Sequence, residues 1–103
     1  KKWLFDRTDA VIALPGGIGT LDELTEAITL KQLGLYKGPI IIINTSDFYK
    51  TFIEFIDQLV EGNFLRLEHK DIWKIVNTPK EALEALTNYK GWLEDPRGIA
   101  RIC

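Results

Sequence analysis

The sequence predicts an α/β protein of Rossmann-like type, a parallel sheet with helices on its flanks, and three observations carry that reading. Short, near-continuous apolar runs recur along the chain, segments of helical periodicity separate them, and a glycine-rich loop follows the first run directly. Strand alternating with helix requires crossover connections, and crossovers within one sheet leave its strands parallel.

The first expected strand is "DAVIAL" (9–14), an apolar run closed by Pro15 and glycines, as a strand buried on both faces would be. "PIIIIN" (39–44) is the second such run and "IWKIV" (72–76) a weaker third. The spacing predicts a first helix from about Leu21 to Leu33, with Leu24, Ala27, Ile28 and Leu33 on one face and Gly34 as its stop. A second helix is expected from near Asp47, with Phe48, Phe52, Phe55, Ile56, Leu59 and Val60 forming an apolar stripe in the core and Gly62-Asn63 ending it. "TPKEALEAL" reads as the start of a third, with Thr78 as N-cap, Pro79 at the first helical position and Glu81 completing a capping box.

The chain has 103 residues, 46% hydrophobic and 27% charged, the composition of one ordinary domain. Thirteen basic against fifteen acidic residues leave a net charge of -2, without a basic run to follow a phosphate backbone, so nucleic acid is not an expected partner. The apolar runs are too short and too interrupted to span a bilayer, and no signal peptide is apparent, which makes no membrane partner and a cytoplasmic location the expectation. The single cysteine, Cys103, can form neither an internal disulfide nor a metal cluster. Neither a cofactor nor a metal is expected. The chain contains no Met and opens "KKWLFDRTD", with Trp3, Leu4 and Phe5 in need of cover, so it reads as a piece of a longer protein. Residues 1–90 are expected to form part of one domain, and 91–103, from "GWLEDPRGIARIC", a tail.

The chemistry concentrates in "ALPGGIGTLDEL" (13–24). Gly16, Gly17 and Gly19 allow a ligand to approach the main chain beside a helix N-terminus, which makes the loop a candidate phosphate cradle. A tight strand-to-helix turn without a ligand explains the same glycines. The loop is no dinucleotide fingerprint, because GxGxxG from Gly17 needs a glycine where Asp22 stands, and the P-loop pattern is missing as well. The acids also have two readings. Thr20 and Glu23 have the spacing of a capping box, and Asp22, Glu23 and Glu26 suit the positive end of a helix dipole. Glu23 is equally placed to serve a bound ligand.

"PGGIGTLDE" matches a PGGxGTxxE signature, and the chain resembles the LONELY GUY (LOG) family of cytokinin riboside 5′-monophosphate phosphoribohydrolases. The resemblance runs from "TDAVIALPGGIGTLDELTEAITLKQLGLYKGPIIIIN" through "FYKTFIEFIDQLVEGNF" to "IVNTPKEALEAL", roughly residues 8–86. It implies hydrolysis of the N-glycosidic bond of an adenine-type nucleoside 5′-monophosphate to free base and ribose 5-phosphate. It also implies Glu23 as the catalytic carboxylate, Gly16, Gly17, Gly19 and Thr20 as the phosphate and ribose contacts, and Glu26 as a weaker candidate. Relatives often carry the label of a lysine decarboxylase, but no lysine here stands in a recognisable pyridoxal-phosphate setting.

The family's catalytic arginine lies in an MxxRK segment upstream of the glycine loop. In family register Lys1 takes the lysine of that pair, which puts the arginine one residue before the chain begins, and Arg7 is no substitute. The family's first strands and GGG-type loop are likewise absent. The resemblance implies an AMP-like ligand and a homodimer or higher oligomer, or a partner chain that supplies the missing half. A non-catalytic nucleotide or cofactor carrier of the same fold, as among molybdenum-cofactor carriers, is the alternative, and a mere oligomerisation half a third.

Overall fold

The computed structural model describes residues 10–65, 73–89 and 100–102. Strand β1 (Ala10–Ala13) is followed by helix α1 (Ile18–Gln32), and β2 (Ile40–Ile43) by a short 3-10 turn (Thr45–Asp47) and helix α2 (Lys50–Glu61). Strand β3 (Trp73–Val76), helix α3 (Pro79–Asn88) and strand β4 (Ala100–Ile102) complete the order. The opening segment with Lys1, Trp3, Leu4, Phe5 and Arg7, most of the tail and Cys103 lie outside the described residues.

Both β1 and β2 are buried at every position, as two apolar runs without alternation require. They pair in parallel, Val11 with Ile40, Ile12 with Ile41 and Ala13 with Ile42. Strand β3 adds to β2 and β4 to β1, both parallel, so the strand order is β3-β2-β1-β4. The expected parallel sheet with flanking helices is therefore present. The three expected strands are joined by a fourth within the segment read as a tail.

The period of two along each strand divides the core. Val11, Ala13, Ile40 and Ile42 face Leu24, Ala27 and Ile28 of α1, and Tyr49, Phe52 and Ile53 at the start of α2 pack with them. Ala10, Ile12, Ile41, Ile43 and Val76 face the opposite way, against Ala82 and Leu86 of α3. Helices thus cover both faces. Strands β2 and β3 lie to one side of β1 and β4 to the other, so the strand order reverses beside β1.

The helices depart from the sequence-based bounds in instructive ways. α1 begins three residues earlier than Leu21 and ends at Gln32, which leaves Leu33 as C-cap with its side chain in solvent. Gly34 then takes φ +76°, the left-handed conformation that ends a helix. Asp47 belongs to the 3-10 turn instead of opening α2, so the aromatic stripe splits: Phe52 is half-buried, whereas Phe48 and Phe55 are exposed. A helix that lies on a sheet hides one narrow face, and here only Ile56 of α2 is fully buried. Gly62 caps α2 as expected, with Asn63 at φ +64° after it.

α3 starts with the anticipated cap. The Thr78 hydroxyl accepts the Glu81 backbone N–H at 3.2 Å, and the Glu81 carboxylate accepts the N–H of Asn77 at 2.7 Å, one residue upstream of the usual partner. At the amino edge of the sheet, Lys31 at the end of α1 donates to the Gly38 carbonyl at 2.7 Å and lies 5.3 Å from the centre of the Tyr89 ring. The Tyr89 hydroxyl donates to the Lys37 carbonyl at 3.0 Å. Burial lowers the Lys31 pKa and raises that of Tyr89. This clasp ties the return into β2 to the end of α3.

Candidate functional site

β1 ends at Ala13, and the chain reaches α1 through four residues, Leu14 to Gly17, all exposed. Gly17 is the N-cap, in extended backbone at φ -105° and ψ -151°. The first intrahelical bond runs from the Leu21 N–H to the Gly17 carbonyl at 3.1 Å. The N–H groups of Ile18, Gly19 and Thr20 therefore have no acceptor within the helix, and no side chain caps this terminus. Three such donors at the positive end of a helix dipole are the elements of an anion site.

The three glycines do not serve the same purpose. A Cβ on Gly16 would stand 2.3 Å from the Thr20 hydroxyl oxygen and 3.0 Å from its Cβ, so Gly16 is demanded by the fold, with Thr20 turned back over the loop. A Cβ on Gly17 or on Gly19 would meet nothing within 4 Å. Their bareness leaves the main chain open to an approaching group.

This geometry overturns the capping-box reading of Thr20 and Glu23. Because α1 starts at Ile18, Thr20 is its third residue and Glu23 its sixth, beyond the reach of an N-cap interaction. Asp22, Glu23 and Glu26 likewise sit past the first turn, where the dipole's effect on a charge has fallen off. Thr20, Glu23 and Glu26 follow one another at intervals of three and are all half-buried, at the margin of the face that α1 turns to the sheet. Asp22 is exposed. At 1.5 Å rise per residue, Glu23 stands about 9 Å along the axis from the N-cap.

Two residues outside the sequence-based candidates shape the same edge. Asn44 directly follows β2, is 8% exposed, and donates its N–H to the Val76 carbonyl at 2.7 Å. Its side-chain oxygen accepts the Tyr49 N–H at 2.7 Å. Tyr49 is 2% exposed, and its hydroxyl donates to the carbonyl of Leu14, the residue that begins the glycine loop. Between them, Ser46 and Asp47 both hold positive φ, +53° and +58°, a conformation that non-glycine residues adopt at a cost. The signal in the sequence was a polar residue closing an isoleucine run, followed five positions later by a ring with a polar tip.

A cleft of about 330 Å³ opens elsewhere, lined by Pro39, Ile40, Trp73, Lys74, Asn88 and Tyr89. It lies at the amino edge, beside the C-terminal end of α3, where unpaired carbonyls repel anions. For a phosphate-bearing ligand the carboxyl edge is the better site, because the strand order reverses there and a helix N-terminus faces it. No His, Cys, Asp and Glu cluster of metal-binding geometry occurs among the described residues, and none of their helices is long and apolar enough to cross a membrane.

Comparison with known proteins agrees with the signature. Residues 1–86 match the family profile described as "Possible lysine decarboxylase". The chain belongs to the LOG family. It is 43% identical over 83 residues to a protein of Oryza sativa subsp. japonica named "Probable cytokinin riboside 5'-monophosphate phosphoribohydrolase", covering 81% of this chain and 34% of that one. Arabidopsis thaliana proteins named cytokinin riboside 5'-monophosphate phosphoribohydrolase are similar at 42% over 82 residues (80% of this chain, 38% of the relative) and at 35% over 106 residues (93% and 50%). The chain thus spans between a third and a half of the length of these LOG proteins. As for the decarboxylase label, Lys31, whose pKa burial lowers, belongs to the amino-edge clasp at the far end of α1 from the glycine loop.

The distinct roles of the glycines are separable by mutation. Gly16→Ala should destabilise the fold by about 1–3 kcal/mol, the usual cost of overpacking. Gly19→Ala, within a helix and facing open space, should keep or raise the melting temperature while weakening the binding of phosphate-bearing ligands. Thermal unfolding paired with calorimetric titration of adenosine 5′-monophosphate reads both effects. Equal loss of stability in the two variants would show that the loop is bare for packing alone.

Proposed function

We propose that this LOG-family chain carries the phosphate-binding and carboxylate half of a site that hydrolyses the N-glycosidic bond of adenine-type nucleoside 5′-monophosphates. The observation that carries the reading is the uncapped N-terminus of α1, with Gly17 and Gly19 open in front of it and Glu23 farther along the same helix. The names of the relatives agree with it.

In this reading the 5′-phosphate rests on the N–H groups of Ile18, Gly19 and Thr20, with the Thr20 hydroxyl as a further donor, and Gly16 lets Thr20 fold back over the loop. The sugar then lies along α1 towards Glu23. As the base departs with the electron pair of the broken C–N bond, positive charge builds at the anomeric carbon. A fixed carboxylate stabilises that charge and orients the water whose oxygen forms the new bond. The attacking water gives up one proton as its oxygen bonds to the anomeric carbon, the departing base takes one up, and free base and ribose 5-phosphate are the products. Glu26, one turn on, is the reserve candidate for contact with the sugar. The reaction needs neither a cofactor nor a metal in this scheme.

The upstream arginine implied by the resemblance would supply a cation to the same site. Its presence in the full-length protein separates the hydrolase from the alternative, a carrier that binds nucleotide without cleaving it. Glu23→Gln keeps the side chain's size and, since Glu23 does not cap the helix, should change stability by less than about 1 kcal/mol. In the full-length protein we expect kcat for adenosine 5′-monophosphate to fall by roughly a hundredfold or more while nucleotide affinity persists. A folded variant that still releases adenine at the parental rate contradicts this assignment.

Assembly belongs to the same proposal. Phe48, Phe55, Phe64, Ile18 and Leu33 are all more than half exposed, an apolar surface that favours a second chain. Sedimentation of the full-length protein should give a dimer or larger species, and a compact monomer at micromolar concentration would count against it.

A further inference from the structure

We propose that Tyr49 is a positioning residue of the anion loop, held by Asn44, and that the two together set the loop's geometry from the neighbouring strand. The inference rests on the phosphate-site reading above and extends it to residues that touch no substrate.

The loop from Leu14 to Gly17 has little of its own to hold it in place. It is exposed throughout, two of its neighbours in α1 are open to solvent, and glycine at two of its four positions leaves the backbone mobile unless something restrains it. The hydroxyl of Tyr49 donates to the Leu14 carbonyl, at the point where the chain leaves the buried strand. That bond crosses from the start of α2 to the end of β1, between elements that are neighbours in space and 35 residues apart in sequence.

Tyr49 is itself fixed twice. Its N–H is accepted by the buried Asn44 side chain at 2.7 Å, and its ring meets Phe48 and Phe52 edge-on at centroid distances of 5.0 and 6.2 Å. Asn44 in turn is tied to β3 through its own N–H to the Val76 carbonyl. A continuous path therefore runs from β3 through Asn44 and Tyr49 to the first residue of the glycine loop. Its second feature is the strain in the four residues between Asn44 and Tyr49: Ser46 and Asp47 hold left-handed backbone where the chain turns Tyr49 back onto Asn44. Strain of this kind persists where the surroundings over-determine a conformation, and it gathers at functional edges. If packing were the only need, a phenylalanine at position 49 and glycine at 46 or 47 would serve better.

The test compares Tyr49→Phe with the parent in the full-length protein by ¹⁵N backbone relaxation of the amides of Leu14 and Gly16 to Thr20 and by calorimetry with ribose 5-phosphate and with adenine, all well below the melting temperature. We expect the loop order parameters to fall, ribose 5-phosphate affinity to fall by about tenfold, the scale of one buried hydrogen bond, and adenine affinity to hold. KM for adenosine 5′-monophosphate should rise more than kcat falls. Asn44→Ala should reproduce the defect, and Asn44→Asp, which keeps an acceptor for the Tyr49 N–H, should show little of it. A lower melting temperature with unchanged loop order parameters and unchanged ribose 5-phosphate affinity would make Tyr49 a packing residue and overturn the proposal. The relaxation result decides the brace even if the parent protein fails to cleave the nucleotide, which would overturn the hydrolase reading alone.

Discussion

Everything at the candidate site follows from one constraint, the burial of β1 and β2 on both faces. Strands hidden on both sides need a layer on each face, and here each is followed by a helix that crosses over the sheet and supplies that layer. All strands then point the same way. Their carboxyl ends gather at one edge, where the glycine loop, Asn44 with its strained turn, and the cap of α3 lie side by side. The amino edge receives the opposite helix ends and is closed by the Lys31–Tyr89 clasp. The polarity of the whole molecule is set by four-residue apolar runs.

Two helix N-termini within the same chain make the chemical point. α3 begins with Thr78 and Glu81 satisfying backbone donors from both sides, an arrangement that contributes on the order of 1 kcal/mol. α1 begins on a glycine, with no side-chain cap and no acid in its first turn, although Thr20 and Glu23 stand only three residues downstream of where such a box would need to be. α2, N-capped by Tyr49, likewise starts without a side-chain cap or an acid in its first turn, so what sets α1 apart is the pair of open glycines, Gly17 and Gly19, at its start. In the proposed reading an external anion satisfies the donors of α1 with a full negative charge.

Strand and helix order was legible in the residues because the apolar runs and the helical periods are unambiguous: the β1 and β2 runs were placed within a residue at each end, and the Thr78 cap was read from its motif. The start of α1 was not, because the capping-box spacing at Thr20 and Glu23 mimics a signal that glycine at the N-cap leaves blank. The exposed Phe48 and Phe55 were misread for a related reason, since periodicity identifies an apolar face without saying how much of it the sheet can cover. β4 was hidden because three residues carry no pattern. Asn44 and Tyr49 act through bonds between distant positions, which a linear reading does not contain. Gly16, Gly17 and Gly19 look alike as letters, and only the position of Thr20 tells the packed one from the open ones.

In the proposed reading the amides at the start of α1 receive the phosphate of the nucleotide. Backbone amide NMR of the full-length, ¹⁵N-labelled protein, titrated in parallel with adenosine 5′-monophosphate and with adenosine, tests it most directly. We expect the nucleotide to shift the Gly17, Ile18, Gly19 and Thr20 amides most, and adenosine to leave those four nearly unmoved. Shifts confined to the amino-edge cleft around Trp73 and Tyr89, or the same loop response to both ligands, would contradict it.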